Sequence, residues 1–338
     1  MTPCHARRSD SDRRFLSVLD RRSWLAVAGT AAGAVASGDQ SAEPDKSSPL
    51  DPGLGEAVAQ RWRFGMEVTT RAALRGLTST FVVPANHREQ SVELSSREVD
   101  VPLTATPRPQ PDGQATQIVV TAPAVPGRSR LSALIEVDVR VRAQSPPDTT
   151  EGLQILRRTP RTMKRYLGSS PHIDTGNGRV RRFQRALIED AADDEPAWTT
   201  VRRIYDAVRS KVKYVEGPIR NASDALISGE GDCEDLTSLF VAVCRISNVP
   251  ARMVWIPGHC YPEFCLFDAS ERPHWYPCQA AGDDLFGEMP ADKPILQKGD
   301  KFRVPEHRRP VRYLSEYMRA DPVGRGEPKV TFVSRRLS

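Results

Sequence analysis

Two stretches in which apolar and polar residues alternate constrain the fold of this chain more than any other feature. In RWRFGMEVTT (61–70) and IEVDVRVRA (135–143), apolar side chains recur at every second position. This period is typical of a strand with one buried face. The intervening stretches TSTFVVPA, QSVELSSREVDV and TQIVVTAPAV also predict strands, with a proline-rich loop at TPRPQPDG. We therefore predict a small β-sandwich-like domain over residues 55–145.

The pattern becomes helical beyond AQSPPDTTEG, which marks a domain boundary. In EPAWTTVRRIYDAVRSKVKYV, apolar residues recur at helical spacing, and this predicts a helix that ends near Tyr214. Residues 233–247 carry a second apolar stripe, and MVWI, HCYPEFCLFD and HWYP then predict strands. Helices followed by antiparallel strands indicate an α+β fold for this second domain.

The first 36 residues have the pattern of an export signal. Arg21 and Arg22 precede an apolar run over 23–36, which ends in the small residues Ala34, Val35 and Ala36. The run is too short to span a bilayer, which needs about 20 apolar residues. An arginine pair before a modestly apolar run is typical of twin-arginine signals, and this predicts a bacterial protein in the periplasm or elsewhere outside the cytoplasm. A polar, proline-bearing stretch over 37–54 is predicted to be a flexible linker.

Cleavage after the signal would change the charge balance. It removes six arginines and three aspartates, so the formal net charge falls from +5 to +2. The basic character therefore belongs partly to the signal, and the sequence predicts no nucleic-acid partner and no integral membrane span after signal removal.

The cysteines of the remaining chain are clustered in the second domain. They are Cys233, Cys244, Cys260, Cys265 and Cys278. Their spacing contains no C-x2-C pair, which disfavours a structural zinc site, and an odd number leaves at least one thiol unpaired. Disulfides among the last four remain open, as does a metal site formed by His259, Cys260 and Cys265.

Cys233 lies in GEGDCEDLTSLF, at the start of the second predicted helix. Asp232 is suited to cap that helix, and the N–H groups of a helix start stabilise a thiolate. The neighbouring carboxylates Glu234 and Asp235 oppose this effect. A reactive thiol here therefore needs a base, and His172, His259, His274 and His307 are the histidines of this part of the chain.

His259 begins an extended run that could pack against the helix start, which favours a Cys-His pair. A third group must then orient the imidazole, and Gln279 and Asp268 are the candidates. Strand alternation disfavours Asp268, because it points to the face opposite His259, but the spacing alone does not choose between the two candidates. Tyr214 could also donate to an oxyanion.

The order of these segments resembles the transglutaminase-like superfamily of papain-related folds. The resemblance is carried by YDAVRSKVKY, GEGDCEDLTSLFVAVCRISNVPAR, GHCYPEF and HWYPCQ. It implies Cys233 as nucleophile and His259 as general base. It also matches Glu263 and Trp275 to family positions and puts Gln279 where the family usually has Asp. A papain-like catalytic domain is thus expected over 155–290, with a C-terminal extension of irregular and helical structure over 291–338.

This resemblance implies an exported thiol acyl-transfer enzyme with a protein or peptide as its substrate. Hydrolysis of peptide or amide bonds is the first expectation, and transfer to an amine, as by a protein-glutamine acyltransferase, stays open. An enzyme of this kind is expected to need no cofactor and no metal ion. The change from Asp to Gln279 keeps a second hypothesis open, namely an inactive binding or scaffold protein with the same fold.

Overall fold

The structure is a computed structural model that describes residues 48–338 except Asp190 and Asp193. The predicted signal over 1–36 and most of the predicted linker lie outside the described residues. The elements follow in the order β1 (Gly53–Thr69), β2 (Ala73–Val83), β3 (Gln90–Val99), β4 (Thr104–Pro109), β5 (Thr116–Val125), β6 (Arg130–Ser145), α1 (Gly178–Glu189), α2 (Ala197–Lys211), β7 (Lys213–Tyr214), α3 (Ala222–Ser228), β8 (Glu230–Gly231), α4 (Cys233–Ile246), β9 (Ala251–Ile256), β10 (His259–Phe267), β11 (Pro273–Pro277), β12 (Gln297–Lys298), β13 (Tyr317–Val323) and β14 (Lys329–Arg336).

Two four-stranded antiparallel sheets form the N-terminal domain. Their strand orders are β14-β1-β6-β3 and β13-β2-β5-β4. The alternating residues of β1 and β6 point inward, so that Met66 and Val139 are fully buried in the cluster between the sheets. The predicted β-sandwich-like domain is present, and β1 begins at Gly53, slightly before the predicted boundary.

The proline-rich stretch predicted as a loop contains a strand. β4 includes Pro107 and Pro109 and pairs with β5 along its length. Because β4 is the edge strand of its sheet, a proline there costs no hydrogen bond to a second neighbour. The sequence-based prediction of a loop was wrong here, because prolines are incompatible with a central strand but compatible with an edge strand.

The C-terminal segment 291–338 is irregular between β12 and β13, as predicted, but it ends in two strands, and the prediction of helical structure there is wrong. β13 pairs with β2, and β14 pairs with β1, so that each sheet of the sandwich gains one strand from the end of the chain. Val330 and Phe332 of β14 pack against the sandwich core. The β-sandwich-like domain is therefore completed only after the chain has passed through the second domain.

The second domain is built around helix α4. This helix is buried along almost its whole length against the antiparallel sheet β11-β10-β9-β12, and α2 packs on it through Tyr205 and Phe240. Both predicted helices and the three predicted strands are present, and the α+β fold is confirmed. α2 ends at Lys211, and Lys213 and Tyr214 form β7 instead.

Helices α1 and α3 were not predicted. α1 is rich in arginine and buries Val180 alone, and α3 has only seven residues. The apolar stripe of α1, formed by Val180, Phe183 and Leu187, is present in the sequence but was overlooked among its arginines, whereas a helix as short as α3 gives little periodic signal. Over the described part of the chain, none of the helices is long and apolar enough to cross a membrane.

Candidate active site

The backbone before Cys233 is fixed by two glycines. Gly229 ends α3 in the left-handed conformation at φ 69°, which glycine adopts without strain. A Cβ on Gly231 would lie 2.6 Å from the Cβ of Asp235, so no larger residue fits there. β8 lies between them and pairs in parallel with β7. These contacts fix the backbone conformation that leads into α4, and Cys233 is the first residue of the helix.

The helix start is closed by a capping box. The Asp232 carboxylate accepts hydrogen bonds from the backbone N–H groups of Glu234 (2.9 Å) and Asp235 (3.1 Å). The Asp235 carboxylate accepts in return from the N–H of Asp232 (3.3 Å) and from that of Arg220 (2.9 Å). The predicted cap is confirmed. Burial raises the pKa of Asp235 to about 6 and also raises the pKa of Asp232, so that both carboxylates become protonated at a less acidic pH than exposed ones do.

The third acidic neighbour, Glu234, forms a buried ion pair with Arg312. Arg312 comes from the segment between β12 and β13, and its guanidinium carbon lies 5.4 Å from the ring centroid of Trp255. Sequence reasoning missed this contact, because no local pattern connects residues so far apart in the chain.

His259 is the first residue of β10 and follows the turn at Gly258. Its Nε2 lies 2.8 Å from Oε1 of Gln279. With the amide oxygen as acceptor, the imidazole hydrogen is on Nε2, and Nδ1 keeps a lone pair. Burial lowers the pKa of His259 below its usual value, and the hydrogen bond to Gln279 offsets this only in part. The imidazole is thus neutral near pH 7 and able to accept a proton.

Gln279 is held from two sides. Its N–H donates to the carbonyl of Leu285 (2.8 Å), and its carbonyl accepts from Nη1 of Arg209 on α2 (2.8 Å). Arg209 also donates to the carbonyls of Gly282 and Asp283 in the same loop. This fixed backbone supports the orientation of the amide toward His259. Arg209 was not singled out from the sequence.

The start of α4 packs beside the start of β10. Thr237, one turn after Cys233, has its Oγ1 3.9 Å from the Sγ of Cys260, the neighbour of His259. Cys233 is 1% exposed and Cys260 belongs to the same apolar cluster. The first turns of the helix and the histidine-bearing end of the strand therefore share one region of the core. Tyr214 lies opposite Gly231 in the short β7-β8 pair, with 45% of its surface exposed.

Asp268, the alternative partner of His259, lies at the other end of β10. The two residues are nine positions apart along an extended chain, which corresponds to about 30 Å at roughly 3.3 Å per residue. Its carboxylate accepts from the N–H groups of Ser270 and Arg272 and contacts Nε2 of His274 at 3.2 Å. Asp268 therefore orders the turn after β10 and cannot orient His259.

Glu263 belongs to a buried charge network. Its carboxylate contacts Arg252 (2.6 Å) and Lys298 (2.6 Å), and Lys298 also reaches Glu89 of the β-sandwich-like domain (2.5 Å). The positive charges of Arg252 and Lys298 lower the pKa of Glu263, although burial by itself would raise it. Arg252 also covers the ring of Trp275, with its guanidinium carbon 4.0 Å from the centroid. Glu263 thus connects the two domains through Lys298, and Trp275 packs on Arg252 beside this charge network.

The remaining cysteines are buried free thiols, as is Cys233. Burial raises the pKa values of Cys244, Cys265 and Cys278 well above the ordinary thiol range, so these side chains stay protonated. Cys260 and Cys265 pack in different clusters on opposite faces of β10. Among the described residues, no cluster of three or more histidines, cysteines or carboxylates is arranged to hold a metal ion, and the metal-site alternative has no geometric support.

Comparison with known proteins agrees with this architecture. Residues 181–280 match the sequence model of the transglutaminase-like superfamily. A solved chain named as a "putative cysteine protease" from Cytophaga hutchinsonii superposes with a TM-score of 0.56 at 15% identity, over 85% of this chain and 93% of that one. A chain named as a "putative protease" from Parabacteroides distasonis gives a TM-score of 0.25 at 12% identity, over 70% of this chain and 48% of that one.

No curated protein matches the sequence. At 15% identity the first superposition establishes the fold alone, and it extends over both domains. The match over residues 181–280 includes the helix that begins at Cys233, the strand that begins at His259 and the loop of Gln279. The second domain of this chain therefore contains a transglutaminase-like core, as the order of its motifs predicts.

Proposed function

We propose that this protein is an exported thiol acyl-transfer enzyme that hydrolyses peptide or amide bonds through Cys233 and His259. The observation that carries the proposal is the 2.8 Å contact between His259 Nε2 and Gln279 Oε1, at the end of β10 that packs beside the start of α4. An amide partner on Nε2 directs the basic lone pair of Nδ1 to the opposite side of the ring. This is the arrangement that a thiol nucleophile needs from its base.

In the proposed reaction, His259 Nδ1 takes the thiol proton of Cys233, and the thiolate sulfur forms a bond to the substrate carbonyl carbon. The imidazolium then gives its proton to the leaving amine as the C–N bond breaks, which leaves a thioester. Water, deprotonated by His259, attacks the thioester, and the sulfur leaves as the thiol. Gln279 keeps the imidazole oriented through both steps, and the backbone N–H groups at the start of α4 favour negative charge on sulfur.

Export is the second part of the proposal. It rests on the arginine pair and short apolar run within residues 1–36. The twin-arginine pattern would deliver the folded enzyme to the periplasm. Fractionation of cells that express the full chain, with Arg21 and Arg22 replaced by Lys in a parallel strain, should show loss of the periplasmic form in the variant.

An inactive binding protein is the second candidate function, and the 1% exposure of Cys233 favours it. A peptide carbonyl could reach the sulfur only if neighbouring side chains moved aside. The uncharged Gln279 in place of the usual Asp points the same way, because it gives an imidazolium no opposite charge.

Thiol labelling separates the two candidates. If the enzyme proposal is right, iodoacetamide labels Cys233 at pH 7 at least tenfold faster than Cys244, and Cys233→Ala abolishes hydrolysis of a mixed peptide library. Cys244→Ala, in the same helix, is the matched control and should keep its activity. Equal labelling of both cysteines, together with unchanged turnover in Cys233→Ala, would contradict the enzyme proposal and favour the binding protein.

A further inference from the structure

The carboxylates around Cys233 have different partners. Those of Asp232 and Asp235 accept hydrogen bonds from backbone N–H groups of the capping box. The Glu234 carboxylate, on the residue directly after the cysteine, is paired with the guanidinium of Arg312. The Glu234 carboxylate is therefore in direct contact with a positively charged side chain from a distant part of the chain.

Both members of this ion pair are buried. Their side chains are 7% and 11% exposed. Charges that are shielded from water interact more strongly than exposed ones, because the local dielectric constant is lower. An unbalanced carboxylate on the residue next to Cys233 would consequently disfavour a thiolate much more than it would on a solvated surface.

Arg312 is also fixed in position by its surroundings. Its guanidinium carbon lies 5.4 Å from the ring centroid of Trp255, whose indole N–H donates to the carbonyl of Gly299 (2.9 Å). The ring of the next residue, Tyr313, packs on Trp255 at a centroid distance of 4.8 Å. The segment between β12 and β13 thus holds the cation against the helix start.

We propose that Arg312 sustains the reactive thiolate of Cys233 by neutralising Glu234. Arg312 is a positioning residue, since it acts through Glu234, and the inference rests on the proposed function of Cys233. Its positive charge also reaches Asp232 and His172, in accord with a location at this end of the helix. Among the described residues, the other charged or titratable groups that act on the helix start, His172 or the base include Asp174, Glu216, Arg220, Asp235, His259 and Lys293.

The test is the pH dependence of Cys233 alkylation in the full chain, followed by mass mapping of the labelled peptide. In Arg312→Gln, the midpoint for thiolate formation should rise by about one pH unit, a roughly tenfold slower reaction below that midpoint. Glu234→Gln should shift the midpoint downward. Arg312→Lys keeps the charge and should stay near the wild-type midpoint.

The double variant Arg312→Gln/Glu234→Gln distinguishes electrostatics from loss of structure. If Arg312 acts by neutralising Glu234, removal of both charges returns the midpoint close to that of the wild type. A double variant whose midpoint equals that of Arg312→Gln, or an Arg312→Gln variant whose midpoint equals that of the wild type, would overturn the inference. Melting temperatures of all four variants show whether a change in reactivity follows unfolding.

Failure of the proposed function has a different outcome. In that case wild-type Cys233 itself titrates as an ordinary thiol, with a midpoint near 8.5 as is usual for free cysteine. The difference in midpoint between wild type and Arg312→Gln is measurable in that case too. The wild-type midpoint therefore tests the proposed function, and the difference between the two midpoints tests the role of Arg312.

Discussion

The hydrogen bond between His259 and Gln279 joins two uncharged groups, and this determines the pH range in which His259 is a base. Burial lowers the pKa of His259, and an amide supplies no charge to raise it. The neutral imidazole therefore persists to lower pH than it would beside a carboxylate. An enzyme with this pair should keep its activity into mildly acidic solution.

Replacement of Gln279 by Asp tests whether the uncharged amide determines this pH range. A carboxylate 2.8 Å from Nε2 would stabilise the imidazolium and raise the pKa of His259. The acidic limb of the kcat/KM profile should then move up by about one pH unit. Gln279→Ala, which only removes the hydrogen bond, should lower kcat/KM about tenfold without an upward shift.

Gln184→Asp is the matched control for that profile, because it makes the same chemical change on α1, where Gln184 contacts Ser247. An acidic limb that moves equally in Gln184→Asp and Gln279→Asp would mean that His259 is not the group observed.

At the scale of single elements, α4 depends on its cap. Asp232 satisfies two N–H groups of the first turn, and the helix is the centre of the second domain. Asp232→Ala should lower the free energy of unfolding by about 1–2 kcal/mol, the usual cost of losing an N-cap. Urea unfolding followed by far-UV circular dichroism measures this change.

Asp224→Ala provides the comparison, because Asp224 lies in the first turn of α3, is exposed and does not cap that helix. Its effect should stay within about 0.5 kcal/mol, as for most surface changes. A similar loss of unfolding free energy in both variants would show that the Asp232 cap stabilises the protein no more than an ordinary surface residue does.

The start of α4 could be predicted because its signals are local. Asp232, Asp235 and the apolar stripe that follows all lie within a few residues of one another. The same holds for β1 and β6, whose alternation is visible without any partner. β4 could not be predicted, because Pro107 and Pro109 are compatible with a strand only at a sheet edge. β13 and β14 depend in the same way on partners near the other end of the sequence.

In the whole molecule, the candidate site combines local and distant contributions. Cys233 and His259 were recognisable from motifs within one stretch of the chain. The contacts of Gln279 with Arg209, and of Glu234 with Arg312, require the folded structure, since each joins segments far apart in sequence. Sequence reasoning therefore identified the residues of the proposed chemistry and missed those that hold them.

Removal of residues 317–338 should destabilise the β-sandwich-like domain. This deletion takes one strand from each sheet and exposes Met66 and Leu77, which are now buried. Binding of an apolar dye and faster proteolysis within β1 and β2 would report the loss. Deletion of Leu337 and Ser338 alone, which leaves β14 intact, should bind no more dye than the full chain. Comparable dye binding in both deletions would contradict a structural requirement for β13 and β14.

The return of the chain to its first domain has a consequence for synthesis. The ribosome delivers β1 and β2 early but their partners β14 and β13 only after the whole second domain. Until then, β1 and β2 are open edges, and open edges pair readily with other chains. Arg312 emerges in the same late stretch, just before β13. A nascent chain of this protein is thus prone to aggregate until β13 and β14, which follow Arg312, have been synthesised.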